Sequence, residues 1–320
     1  MLVLLGFFIV HTHKGGGTMT NCCKVEIQEV KTVGKFDHLL GKHPCFSERA
    51  HFKYGRIHLP VSPTCNIQCK FCKRCLNKIE NRPGVAAKVL TPKGAVKIVA
   101  KALELCPEIS VVGIAGPGET LATEDALETF EILDNIYPNL IKCLSTNGLM
   151  LDKYSERIIN AGIKTVSVTV NAVEPEILQN ICSGIYWDGN YLKDYEGAEK
   201  LIQEQIKGIE KLSGKDIAVK VNTVLIPDLN YGHIEEIARV VSNAGASVIN
   251  IIPLIPQHEM IGFRPPDCNE LNNAREWAGK YLNVFRHCRQ CRADACGIPG
   301  KGKELGSLLY DYPMETFSHG

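Results

Sequence analysis

Neither sign of charge dominates this 320-residue chain: 36 Lys and Arg stand against 35 Asp and Glu, a formal net charge of +1. A balance so near zero gives no support for a protein of nucleic acids or of anionic membrane surfaces. Long apolar runs are missing as well, and none reaches the roughly 18 residues that span a bilayer. There is no internal repeat and no low-complexity tract. With 45% apolar and 22% charged residues the composition is globular rather than disordered. The length suits one large α/β domain or two ordinary ones.

The N-terminus lacks the parts of a secretory signal. Met1 to Val10 is apolar, but no basic residues precede it, and His11, Thr12, His13, Lys14 and three glycines follow. The stretch reads as a dispensable or mis-assigned leader, with Met19 as an alternative start. What the chain has in excess is cysteine. Fourteen in 320 residues are too many for packing alone and too dilute for a small disulfide scaffold. Several stand at metal-ligand spacing.

From Arg56 the sequence alternates β-like and α-like segments. Ile57, Leu59 and Val61 repeat at period two and predict a first strand. Thr91 as N-cap and Pro92 at the first helical position open a helix, with Val96, Val99, Ala100 and Leu103 as its expected core face. Further strands are expected at Ile109–Ile114, Ile141–Leu144, Thr165–Val170, Ile217–Leu225 and Val248–Ile255. Helices are expected around Ala126, Phe130, Leu133 and Tyr137, over about 151–160, around Ile234, Ile237, Ala238 and Val241, and over about 270–285. Six βα units imply a parallel sheet with right-handed crossovers. Six rather than eight predict a partial (βα)6 TIM-like barrel. An open nucleotide-binding sheet is the competing architecture, but no dinucleotide glycine fingerprint follows the first strand. In both, ligands bind at the carboxyl ends of the strands, where Cys65, Glu119, Ser145, Asn147, Asn171 and Asn222 fall. The aromatic and polar stretch from Ile185 to Glu196 reads as a surface loop or a lid.

The strongest chemical signal is Cys65-Asn-Ile-Gln-Cys69-Lys-Phe-Cys72. Three thiolates in one short loop can ligate three irons of a 4Fe–4S cubane and leave the fourth open. A zinc knuckle with Cys75 as fourth ligand is the alternative. Gly116-Pro117-Gly118-Glu119 ends the second strand, where glycines let backbone approach a ligand and the carboxylate can meet an amino group. Ser145, Thr146 and Asn147 end the third and offer hydrogen bonds, or a helix-capping turn. Cys288 and Cys291 form a further pair, open also to a zinc or redox reading. Cys296 could be a third ligand beside them, and Arg289, Arg292 and Lys301 place positive charge around them.

A Cys-x3-Cys-x2-Cys loop directly after the first strand of such an array resembles the radical S-adenosylmethionine (SAM) superfamily. That resemblance makes Cys65, Cys69 and Cys72 the catalytic cluster ligands and Gly116, Gly118, Glu119, Ser145, Thr146, Asn147 and Asn171 the SAM contacts. A narrower set occurs in order: His43-Pro44-Cys45-Phe46-Ser47-Glu48, Cys65 to Cys69, Arg82-Pro83-Gly84-Val85, Ala115 to Gly118, Cys143-Leu144-Ser145-Thr146-Asn147-Gly148 and Cys288 to Ala295. Together these resemble the NifB family, the radical SAM synthases of the nitrogenase cofactor precursor, in its stand-alone form without a C-terminal carrier domain.

The resemblance implies three 4Fe–4S clusters, one that binds SAM and two auxiliary ones consumed as substrate. It also implies their fusion, with a SAM-derived carbide and an added sulfur, into an eight-iron product. His43, Cys45, Cys75 and Cys143 become candidate ligands of the first auxiliary cluster and Cys288 and Cys291 of the second. His51 and His58 are set aside by position, and Cys106, Cys182 and Cys268 are read as structural. The implied organisation is a leader and N-terminal segment (1–41), a barrel core (42–285) and a cluster-binding extension (286–320). Expected partners are an iron–sulfur cluster donor, a low-potential electron donor and a downstream cofactor carrier or scaffold protein, with no nucleic acid and no membrane. The expected location is an anaerobic cytoplasm. Competing functions are another radical SAM enzyme with auxiliary clusters, acting on a peptide or a pterin precursor, and a non-catalytic cluster carrier.

Overall fold

The computed structural model describes residues 35–301, 305–310 and 317–319. The leader, Met19, Cys22 and Cys23 lie outside them. Six βα units follow one another: β1 (Gly55–His58), α1 (Pro92–Leu105), β2 (Ile109–Ile114), α2 (Asp125–Ile136), β3 (Ile141–Thr146), α3 (Ser155–Asn160), β4 (Ile163–Thr169), α4 (Asp194–Ser213), β5 (Ala218–Leu225), α5 (Ile234–Asn243), β6 (Val248–Pro253) and α6 (Cys268–Gly279). The strands lie side by side in the order β6-β5-β4-β3-β2-β1, all parallel. Sequential order without a reversal is the winding of a barrel; a nucleotide-binding sheet reverses at a switch point. β1 does not pair with β6. Asn283–Val284 runs parallel to β6 at one edge and Cys296–Gly297 antiparallel to β1 at the other. The barrel is therefore partial, and the C-terminal extension lies along its first strand.

Alternation along the strands builds two unlike surfaces. Val112, Ile114, Leu144, Val166, Val168, Val219, Val221, Ile249 and Ile251 belong to the main apolar core, which also takes Phe130, Leu133, Ile237 and Val241 from the helices. The residues between them line a cavity described below. The Thr91 hydroxyl caps α1 by accepting the Gly94 N–H at 3.2 Å. The buried stripe of α1 is Pro92, Ala95, Val99 and Ala102; of the expected face Val99 belongs to it, while Val96 and Leu103 are half-buried against the core. Apolar residues wrap half of this helix, and the sheet takes the stripe with the smaller side chains, which approaches it more closely. The α5 face is as expected, with Ile234, Ile237, Ala238 and Val241 buried.

Two expectations are corrected. The last helix stops at Gly279 rather than near Phe285, and the chain turns into the edge strand Asn283–Val284. The stretch 185–196 is not an irregular loop. Cys182–Trp187 and Asn190–Lys193 form a hairpin, and α4 begins at Asp194. Asp188 (φ 48°) and Gly189 (φ 78°) make the two-residue turn, whose left-handed backbone suits Asp-Gly. The inner hairpin strand pairs with Ile67–Cys69, setting Ile67 opposite Ile185 and Cys69 opposite Cys182. The hairpin thus pins the cysteine loop.

Candidate active site

A cavity of about 380 Å³ opens inside the barrel. Arg56 and His58 from β1, Val111 from β2, Cys143 and Ser145 from β3, Ser167 and Thr169 from β4, Lys220, Asn222 and Val224 from β5 and Asn250 and Ile252 from β6 line it at alternate positions, joined at two strand ends by Thr146 and Pro253. Cross-strand register puts Ser145 opposite Ser167, Lys220 opposite Ser167, and Asn222 opposite both Thr169 and Asn250. Small and polar residues inside leave room that a fully apolar barrel would fill.

Cys65, Cys69 and Cys72 all line this cavity. The Gly116–Glu119 segment braces their loop. Gly118 N–H donates to Ser62 O at 2.6 Å and Glu119 N–H to Thr64 O at 2.7 Å. A Cβ on Gly118 would stand 2.1 Å from Thr64 O, so no other residue fits this approach. The buried Glu119 carboxylate accepts from Thr146 Oγ1 (2.5 Å), Leu121 N–H (3.0 Å) and Asn147 N–H (2.6 Å). Burial raises its pKa, and these three donors oppose the rise. The expected SAM-pairing carboxylate is thus also the anchor of the β3 end.

Asn147 does two things at once. Its Oδ1 accepts from Leu149 N–H at 2.9 Å in a capping-type turn, while its Nδ2 donates to Asn66 Oδ1 at 2.7 Å and lies 3.9 Å from Cys65 Sγ. Asn171 Oδ1 accepts from Val224 N–H at 2.9 Å. Gln205 of α4, which sequence reasoning missed, donates to the carbonyls of Asn147 (2.7 Å) and Thr169 (2.9 Å) and ties two strand ends together. Gly116, unlike Gly118, does not line the cavity; its φ of 116° makes the turn that brings Pro117 and Gly118 to the wall.

Of the first auxiliary set, His43, Cys45 and Cys143 line the cavity. Cys75 does not; it is buried on the strand Arg74–Leu76, where Arg82 donates to its Sγ at 3.3 Å. Cys288 and Cys291 also line it, and Arg56 donates to Cys291 Sγ at 3.2 Å. Cys296 stands apart from them, buried in the apolar core opposite Ile57 of β1. Arg289 reaches the cavity, whereas Arg292 is forked onto Asp294 at 2.8 and 3.0 Å. Cys182, read as structural, lines the cavity beside its register partner Cys69. Cys106 packs in the core and Cys268 heads α6.

Lys220 is a second residue that sequence reasoning missed. It is buried, donates to Cys45 O at 2.8 Å, and holds its Nζ 4.6 Å from the Phe46 ring and 5.6 Å from Phe285. Its signal was the alternation Val219-Lys220-Val221-Asn222, which puts a cation on the inner face.

Of the histidines that line the cavity, His43 and His51 are buried and His58 is half-buried, and their hydrogen bonds fix unlike tautomers. Cys45 N–H donates to His43 Nδ1 at 3.1 Å, so neutral His43 carries its proton on Nε2. His51 Nδ1–H donates to Pro44 O at 2.7 Å and His58 Nδ1–H to Arg292 O at 3.2 Å. Their Nε2 atoms therefore carry lone pairs. Burial keeps all three neutral, lowering His51 and His58 to about 4 and His43 well below its usual value.

The donor set fits iron–sulfur clusters. Burial pushes the Cys45 and Cys65 thiols up to about 12 and raises Cys72 and Cys143. A hydrogen bond with Cys182 and burial raise Cys69. Such thiols become thiolates when a metal takes the proton's place. Among the described residues, no three His, Cys, Asp or Glu side chains converge on a point that would hold one ion. A cubane makes no such demand, because each ligand meets a different iron. The Nε2 atoms of His43 and His51 and Asn250 Oδ1 are buried without hydrogen-bond partners among the described residues, as suits groups that would meet a cluster.

A three-cysteine loop after the first strand of a partial (βα)6 barrel, braced by a Gly-Pro-Gly-Glu turn, defines a radical SAM enzyme. The model of the Radical SAM superfamily matches residues 59–241. The fold is shared with SuiB of Streptococcus suis, at a TM-score of 0.55 and 14% identity over 73% of this chain and 50% of that one. Within the superfamily the sequence is similar to the FeMo cofactor biosynthesis protein NifB of Methanocaldococcus infernus, 47% identical over 91% of this chain and 100% of that protein. The proteins of the same name from Chlorobaculum tepidum and Azotobacter vinelandii are 41% and 39% identical; the chain covers 62% and 63% of their lengths. The chain belongs to the NifB family. No helix among the described residues is long and apolar enough to cross a membrane.

Proposed function

We propose that this radical SAM enzyme builds the eight-iron, carbide-centred precursor of the nitrogenase cofactor from two 4Fe–4S clusters, SAM and an added sulfur. One observation carries the reading: a single cavity is bordered by the SAM-cluster loop and by four further cysteines, Cys45, Cys143, Cys288 and Cys291. A reaction that joins two clusters needs both within reach of one SAM site.

The cluster at Cys65, Cys69 and Cys72 supplies, when bound, the electron that cleaves SAM. The chain's own residues supply position and charge. Glu119 and Asn147 set the end of β3 against the cysteine loop. Lys220, Arg56 and Arg289 face the cavity with positive charge suited to sulfide-rich, anionic substrates.

We assign Cys45, Cys143 and His58 to the first substrate cluster. A Cβ on Gly113 would lie 3.2 Å from His58 Cδ2 and 3.8 Å from Cys143 Cβ, so the ring and the thiol are neighbours, and the His58 tautomer leaves Nε2 free. His43, the residue expected there, presents an N–H and is better suited to donate to a sulfide. Cys75 stays with Arg82 in this assignment. A cluster donor, a low-potential electron donor and a downstream carrier follow from the chemistry, and an anaerobic cytoplasm would keep these thiols reduced.

The test is anaerobic turnover of the fully loaded protein with SAM and dithionite. 5′-Deoxyadenosine and S-adenosylhomocysteine should both form, and the auxiliary clusters should be converted to a new eight-iron species. Formation of 5′-deoxyadenosine with both auxiliary clusters unchanged would show a different substrate.

A further inference from the structure

His51 was set aside as a ligand, yet it is the best-prepared nitrogen in the cavity. The residue is 2% exposed. Its Nδ1–H donates to Pro44 O at 2.7 Å, and a carbonyl can only accept, so the lone pair is on Nε2. That Nε2 is buried with no hydrogen-bond partner among the described residues. An acceptor desolvated in this way is costly unless something occupies it. An imidazole whose far N–H is held by a backbone carbonyl is the arrangement that orients metal-ligating histidines.

Neighbours place this ring with the second cysteine pair. Its centroid is 5.4 Å from that of His287, the residue before Cys288, and 5.7 Å from that of Phe285. His287 is itself held by Glu48, Nε2 to Oε1 at 2.9 Å. His51, Cys288 and Cys291 line the same cavity. We propose that His51 is a third protein ligand, through Nε2, of the cluster held by Cys288 and Cys291. This rests on the two-cluster reading above.

His43 and His58 do not compete for the place. His43 has its proton on Nε2, and His58 stands against Gly113 and Cys143. A neutral imidazole also suits a site that already carries two thiolates. It fills a third iron without adding to the negative charge of the cluster.

The experiment uses the whole chain carrying Cys45→Ala and Cys143→Ala, reconstituted anaerobically, with 15N-labelled histidine and pulsed electron paramagnetic resonance of the reduced protein. An imidazole 15N coupling should be present, should be lost in His51→Asn, and should survive His43→Ala with His58→Ala. Asn at 51 keeps an N–H for Pro44 O and removes the free nitrogen. If His51→Asn fails to fold, the His43→Ala, His58→Ala, His287→Ala protein decides, since no other histidine then lines the cavity and His51 supplies the coupling or it is absent. A coupling that persists in folded His51→Asn overturns the inference, as does its absence while the Cys288–Cys291 iron is present. If Cys288→Ala with Cys291→Ala removes no iron, the two-cluster reading itself has failed.

Discussion

Glu119 accepts the backbone N–H of Asn147 at 2.6 Å, and through that bond the end of β2 sets the side chain that reaches Cys65 and Asn66. Every bond the Glu119 carboxylate makes is to a donor. Glu119→Gln would turn an amide N–H₂ toward one of them. One buried donor would then be left unmet, at a cost of roughly 1–3 kcal/mol. Both the melting temperature and SAM affinity should fall. A loss of SAM affinity with unchanged melting would mean that the carboxylate acts on the ligand alone.

Gly118→Ala should damage the cysteine loop itself. The new methyl group would meet the Thr64 carbonyl at 2.1 Å, and backbone there is held by the Glu119 N–H bond. Overpacking of this kind costs about 1–3 kcal/mol. Gly189→Ala offers the control: nothing lies within 4 Å of its Cβ, but its φ is +78°, so the cost is about 1–2 kcal/mol of backbone strain. Iron bound at Cys65, Cys69 and Cys72 should fall in Gly118→Ala and stay unchanged in Gly189→Ala.

Those two glycines also show what could be read from residues alone. The Gly-Pro-Gly-Glu segment and the cysteine spacing were legible because their chemistry is local in sequence. The strand order was legible from alternation of β and α. The hairpin was not, although Asp188-Gly189 between paired residues carries its signal, because its strands are short and show no clear apolar periodicity, so that only the turn chemistry marks it. His51 and His58 were passed over since a ligand's readiness depends on which carbonyl holds its other nitrogen. Pro44 O and Arg292 O do so across 7 and 234 positions, and the contact of Arg82 with Cys75 is equally invisible in spacing.

The buried thiols predict a pH dependence of assembly. Burial holds Cys45 near 12, so at about pH 8 its thiolate fraction is on the order of 10⁻⁴. Cluster loading must displace that proton, so incorporation at the Cys45–Cys143 site should quicken as pH rises from about 7 to 9. In the metal-free protein, alkylation of Cys45 should lag that of the exposed Cys288. Equal alkylation rates, or loading that slows with rising pH, would contradict the burial of Cys45.

The two auxiliary pairs should prove unequal in chemistry. Losing either pair should cost about four irons per chain and leave the SAM cluster in place. Methyl transfer to a sulfide needs an exposed cluster edge, and the pair with fewer thiolates from rigid strands offers more of one. Cys143 stands within β3 and Cys45 is tied to Lys220, whereas Cys288 and Cys291 lie in the extension outside any strand, with Cys288 exposed. Cys288→Ala with Cys291→Ala should therefore lose S-adenosylhomocysteine formation. Cys45→Ala with Cys143→Ala should still form it and fail to complete the eight-iron product. Methyl transfer that survives only in the Cys288/Cys291 double variant would exchange the two roles, because the first cluster would then be the one that presents its sulfide to SAM.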